Sequence, residues 1–162
     1  MTDYVVGHFG GTVARDLLEL VRGELLGEGA GRQVHRCALR PDIVLKFETG
    51  ARSFQNAVEW TAWRKVQGLP SLAAWFAPCV AVSACGSVLA QRYAEPFAGP
   101  DDPRLPRSVP AAFTDLKVEN WGTIDGRAVC VDYGVLLMGV AFTTRTRRAA
   151  WWSGAGAAEA AG

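Results

Sequence analysis

Charge of one sign is what this chain has least of. Seventeen Lys and Arg stand against 16 Asp and Glu in 162 residues, a formal net charge of +1. So even a balance provides no global field to gather nucleic acid or an anionic membrane surface, and neither is expected as a partner. Metal-ligand spacing is missing as well. The four cysteines, Cys37, Cys79, Cys85 and Cys130, form no C-x-x-C pair, and the two histidines, His8 and His35, lie far from any carboxylate cluster. No zinc site is expected, and the thiols read as buried or reduced. Long apolar runs are lacking too: residues 135–142 are apolar but too few to cross a bilayer. The N-terminus has no basic region leading into such a run, so the expected compartment is the cytoplasm.

What the chain does have is enough apolar residues, 49%, to bury a core in one compact unit of ordinary domain size. Its most informative stretch is T-D-L-K-V-E-N-W-G-T-I-D-G-R-A-V-C-V-D-Y-G, residues 114–134. Asp125-Gly126 sits between two short apolar runs, the strongest short-range hairpin signal. Folding back at that turn brings Asn120, before the first strand, close to Asp132, after the second. The result is an oxygen-rich site suited to a hard cation such as magnesium.

These residues resemble a protein kinase-like phosphotransferase, much reduced. D-L-K-V-E-N at 115–120 is similar to the kinase catalytic loop, and D-Y-G at 132–134 to the D-F-G metal motif. The resemblance implies that Asp115 faces the acceptor hydroxyl, Lys117 approaches the transferred phosphate, and Asn120 and Asp132 hold magnesium. The two motifs in this order, joined by a hairpin, are a more specific signal than either alone.

Upstream, Thr12 is an acceptable N-cap, and Val13, Leu17, Leu20 and Val21 repeat at helical spacing up to Gly23. Residues 1–24 therefore read as an N-terminal helical extension. In L-L-G-E-G-A-G-R-Q-V, residues 25–34, Gly27, Gly29 and Gly31 interrupt two strands. Bare backbone of this kind can turn tightly and bring N–H groups up to phosphate oxygens, although an ordinary hairpin turn uses glycine equally well. Val34 stands where a kinase-like pocket has its apolar residue over the base. I-V-L-K at 43–46 resembles the V-A-I-K strand, with Lys46 as its phosphate-binding lysine. Apolar Val44, Leu45 and Phe47 around Lys46 make an unpaired ammonium costly there.

Ser53 can cap a following helix, on which Phe54, Val58, Ala62 and Val66 form a stripe before Gly68 and Pro70 end it. Glu59 borders that stripe and is the candidate partner of Lys46. Trp60 and Trp63 read as packing residues. Val80 to Ser83 and Val88 to Tyr93 read as two more strands around a turn at Cys85-Gly86-Ser87. The resemblance places the hinge at residues 91–95, with backbone near Arg92 and Tyr93 meeting the adenine edge.

Residues 96–110 carry five prolines and read as an extended linker, with at most a helical turn near Val109 to Phe113. Here the chain departs from the family. Full kinases place two helices between hinge and catalytic loop, and Phe113 stands where they have a histidine or tyrosine, whose hydrogen bond it cannot make. Only 28 residues follow Gly134, with no A-P-E segment. Residues 135–142 would add one short helix or strand. Arg145, Arg147, Arg148, Trp151 and Trp152 read as a solvated chain end, and 153–162 as a low-complexity, mobile tail.

The expected architecture is thus α+β. A kinase-like small lobe, a five-stranded antiparallel sheet plus a helix over 25–95, precedes a strongly truncated large lobe over 96–152 that carries the catalytic-loop hairpin. The implied function is a minimal phosphotransferase using ATP and Mg2+, comparable with compact kinase-like proteins of bacteriophage type. The alternative is an inactive, pseudokinase-like module that binds and regulates a host or partner protein. A homo-oligomer that supplies the missing packing surface is a third reading.

Overall fold

A computed structural model describes residues 17, 19–50, 54–134 and 145–154. The start of the expected N-terminal helix, the Ser53 cap, the element at 135–142 and the tail from 155 lie outside the described residues. The fold is α+β, and the chain divides into two compact units. One comprises Met1–Ala57 with Cys79–Tyr93, the other Val58–Pro78 with Ala94–Gly162.

The first unit is built on an antiparallel sheet of β1 (Arg22–Glu28), β2 (Arg32–Cys37), β3 (Ile43–Glu48), β4 (Cys79–Val82) and β5 (Val88–Arg92), in the order β1-β2-β3-β5-β4. The alternation of β3 sorts its side chains onto two faces. Ile43, Leu45 and Phe47 form an apolar cluster with Val21, Cys37, Val88 and Ala90. Lys46 takes the opposite face. The register aligns Gly27 with Val34, Val34 with Lys46, Lys46 with Leu89, and Leu89 with Val82, so one row crosses all five strands. The β4–β5 turn relies on Gly86, whose φ of 76° suits a residue without Cβ.

Residues 17 and 19–21 are helical, and β1 begins at Arg22 rather than after residue 24. Close strand approach explains the difference. A Cβ on Gly23 would lie 2.8 Å from the Arg36 carbonyl oxygen, so this glycine is a strand-packing residue and not a helix end. The His35 ring donates through Nδ1 to the Gly23 carbonyl at 3.0 Å and pins the same spot.

Helix α1 (Gln55–Val66) buries the second half of the expected stripe, Ala62 and Val66, but not its first half. Asn56, Glu59, Ala62 and Val66 are all fully buried, whereas Phe54 is 70% exposed. Apolar spacing missed the first half of this face because its two inward positions, Asn56 and Glu59, are polar. A short helix α2 (Pro70–Ala73), opened by proline, follows.

The second unit uses short strands. Strands β6 (Glu95–Pro96), β8 (Trp121–Ile124) and β9 (Arg127–Cys130) form a small sheet in the order β6-β8-β9, and β7 (Ser108–Pro110) pairs with β10 (Thr146–Arg148). Of the segment expected to make a helical turn, Val109 and Pro110 belong to β7, which β10 pairs, and a single turn follows at 111–112, closed by the Phe113 N–H donating to the Pro110 carbonyl at 3.1 Å. The β8–β9 hairpin forms as read: Asp125 and Gly126 have φ of 52° and 75°, the pair of positive values that a two-residue hairpin turn requires. A chain of aromatic contacts fills the core, from Tyr133 through Phe76, Phe113 and Trp121 to Trp151, with ring centroids 4.9 to 5.1 Å apart. The Tyr133 hydroxyl donates to the Ala77 carbonyl at 2.8 Å. The C-terminal Arg/Trp tip is not a solvated end: β10 is paired, and the Trp151 indole N–H donates to the Pro106 carbonyl at 3.0 Å.

Candidate functional site

The candidate residues fall into two groups, one on each unit. On the sheet unit, Lys46 is only 3% exposed although it carries an ammonium on a central strand. Val34 lies directly across β2 from it and Gly27 lies across β1 from Val34, so three of the sequence candidates occupy one row on one face. The glycine-rich turn closes with the Gly29 N–H donating to the Arg32 carbonyl and the Thr49 N–H donating to the Gly31 carbonyl, each at 2.9 Å. Gly27 and Gly29 lack the left-handed backbone that would demand glycine, and a Cβ at either would meet nothing within 4 Å. Neither strain nor packing inside the protein accounts for glycine at these two positions.

Asn56 was missed from the sequence and is the polar hub of this unit. Its Nδ2 donates to the Lys46 carbonyl at 3.0 Å and to the Gly86 carbonyl at 3.1 Å. Its backbone N–H donates to Glu48 Oε1 at 2.8 Å, and its Oδ1 accepts from Arg32 at 3.4 Å. One amide thereby ties β2, β3 and the β4–β5 turn around the lysine. Its spacing of three from Glu59 was the available signal, since two buried polar residues at i and i+3 on a helix share a face. Glu59 is fully buried and stands on the part of α1 that belongs to the second unit.

At the expected hinge, Arg92 pairs across the sheet with Ile43, and the Tyr93 N–H donates to the Asp42 carbonyl at 2.8 Å. The Arg36 guanidinium lies 3.3 Å from the centroid of the Tyr93 ring. Arg40, paired with Asp42, holds that carboxyl below its usual value. The Tyr93 amide is therefore engaged within its own unit.

On the second unit the hairpin brings Asn120 and Asp132 together. The Val131 and Asp132 N–H groups both donate to the Asn120 carbonyl, at 2.8 and 3.4 Å. Asp115 joins them: its Oδ2 accepts from Asn120 Nδ2 at 3.1 Å, and its Oδ1 accepts from the Lys117 N–H at 3.1 Å. With the amide nitrogen of Asn120 turned to Asp115, Oδ1 is the atom left to ligate a cation. The Asn120 amide oxygen and the Asp132 carboxylate are each hard-oxygen donors of the kind magnesium takes, and the bonds that join these two residues run from the Asp132 N–H to the Asn120 carbonyl. Among the described residues no three His, Cys, Asp or Glu side chains cluster as a metal-binding group. Phe113, 2% exposed, anchors the start of this loop by packing between Phe76 and Trp121.

No protein-family model matches the chain, and no curated protein matches it in sequence. Among the described residues no helix is long and apolar enough to cross a membrane.

Proposed function

We propose that the chain is a minimal kinase-like phosphotransferase that uses magnesium and ATP. The observation that supports this most is the joining of Asp115, Asn120 and Asp132 at the base of one hairpin, 17 residues apart in sequence from first to last. The Asp115 carboxylate bonds the Asn120 amide, and the Asp132 N–H bonds the Asn120 carbonyl, so the three polar residues meet at one loop. In this reading Asp115 orients the acceptor hydroxyl and Lys117 shields the γ-phosphate. Asn120 and Asp132 hold magnesium, which when bound neutralises phosphate charge. On the sheet unit Lys46 binds phosphate oxygens, Gly27, Gly29 and Gly31 cover them, and Val34 packs on the base. Phosphoryl transfer asks little covalent chemistry of the protein, so positioning and charge carry it.

Asp115→Ala tests the assignment. Loss of ATP turnover with ATP binding retained is the expected result, and wild-type turnover in the variant would refute the role. A second reading is favoured by the engagement of the Tyr93 N–H with Asp42 and by the Arg36 cover on the Tyr93 ring, where an adenine edge was expected. In that reading the chain is a pseudokinase-like module that binds a partner protein, and it predicts ATP binding that ignores magnesium, or none.

A further inference from the structure

The loop carrying Asp115 and Lys117 is held largely from outside itself. Its own polar bonds are few: Asp115 accepts from the Lys117 and Asn120 nitrogens, and the Asn120 N–H donates to the Lys117 carbonyl at 3.0 Å. The Val131 and Asp132 N–H groups hold its far end at the Asn120 carbonyl, and a further set of restraints comes from residues 147–154. Arg147 Nε donates to the Phe113 carbonyl at 3.0 Å, and its Nη2 donates to the same oxygen and to the Thr114 carbonyl at 3.2 Å. These are the last two carbonyls before Asp115. The Val118 N–H donates to the Trp152 carbonyl at 2.8 Å and the Trp152 N–H to the Leu116 carbonyl at 3.3 Å, one bond on each side of Lys117. Glu119 Oε1 then accepts from the Ser153 hydroxyl at 2.7 Å and from the Gly154 N–H at 2.9 Å.

Gly154 is the tightest point. A Cβ there would stand 2.6 Å from Lys117 Cε and 2.8 Å from its Nζ, so any larger residue must push the lysine aside. The Lys117 ammonium also lies 5.9 Å from the centre of the Trp152 ring. A planar guanidinium presents several donors in a fixed fork, and one fork on two successive carbonyls fixes the direction of the chain that leaves them. That chain is Asp115.

We propose that residues 147–154 are a positioning strap. Arg147 sets the backbone from which Asp115 projects, and Gly154 leaves the space that directs Lys117. The catalytic consequence rests on the phosphotransferase reading, and the structural consequence on the geometry alone.

The test measures amide hydrogen exchange and ATP turnover on the full chain. Arg147→Lys keeps the charge and loses the fork. It should raise exchange at the Lys117, Val118 and Asn120 amides about tenfold while β2, β3 and β5 keep wild-type rates. Gly154→Ala keeps the Gly154 N–H as a donor and displaces the Lys117 side chain. It should lower kcat for magnesium-ATP turnover about tenfold with KM for ATP within about twofold of wild type. Unchanged loop exchange in Arg147→Lys overturns the strap, and so do sheet amides that speed up in step with the loop. Wild-type kcat in Gly154→Ala overturns the role given to Lys117 placement. A wild-type chain that turns over no ATP removes the phosphotransferase reading instead, and the exchange rates then decide the strap by themselves.

Discussion

In the sheet unit each strand is held by the strand beside it, whereas in the second unit the candidate loop is held by a segment 34 residues away. The first arrangement places Lys46 through ladder register: a one-residue slip would turn it onto the Ile43, Leu45 and Phe47 face, where the apolar cluster would have to accept a charge. The second places Asp115 through side-chain bonds to single carbonyls. A ladder shares its restraint over many bonds, while the strap concentrates it in the Arg147 fork, two backbone bonds at Trp152 and the contacts of Ser153 and Gly154 with Glu119. Single substitutions should therefore disturb the loop more locally than they disturb the sheet.

Phe113→Ala should have the largest effect, about 3–5 kcal/mol, because it empties the middle of the aromatic chain. Exchange protection should fall in β8 and β9 and persist in β2 and β3. Equal loss in both places would break the contrast between the units. Next, Lys46→Met should weaken ATP binding about tenfold or more in calorimetric titration, the cost of one charge-assisted hydrogen bond, with the sheet's circular dichroism retained. Unchanged affinity would remove the sheet unit from the site.

Glycine substitutions give smaller, opposed effects. Gly126→Ala, at φ 75°, should cost about 1 kcal/mol in chemical denaturation. Gly29→Ala, in open space, should change stability by less than about 0.5 kcal/mol yet weaken ATP binding. The reverse pattern would mean that the glycine-rich turn is only a turn.

The smallest effect concerns pH. Burial pushes the Glu119 carboxyl up, but the Ser153 hydroxyl and the Gly154 N–H outweigh it and hold it below its ordinary value of 4.5. A carboxyl whose folded value is depressed adds stability that is complete above the unfolded value and fades as pH falls through the folded one. Protection of the Gly154 amide, corrected for intrinsic rate, should therefore be flat above 4.5 and decline below it, with no matching loss in β3. Protection that is unchanged in acid would separate Glu119 from the strap.

The sheet was legible because its signals are local. The short apolar run I-V-L-K-F marked β3, glycines marked the turns, and Asp125-Gly126 marked the hairpin that joins Asn120 to Asp132. The face of α1 was legible at Ala62 and Val66 but not at Asn56 and Glu59, because apolar spacing is blind to buried polar residues such as Asn56, whose value lies in the backbone groups it meets. The chain end was misread for another reason. Nothing in R-T-R-R-A-A-W-W shows that β7 lacks a strand partner, or that the Phe113 and Thr114 carbonyls await a guanidinium. Pairings over such separations leave no periodicity in either segment. The family departure at Phe113 was visible from sequence, but Arg147 holding the Phe113 carbonyl was not.

The most direct measurement of the central claim is a calorimetric titration of the full chain with ATP, with and without magnesium. The account predicts micromolar binding, about −8 kcal/mol, that requires magnesium and is lost in Asp132→Ala. Binding indifferent to magnesium, or no binding, would contradict it and leave the hairpin as part of a partner-binding fold.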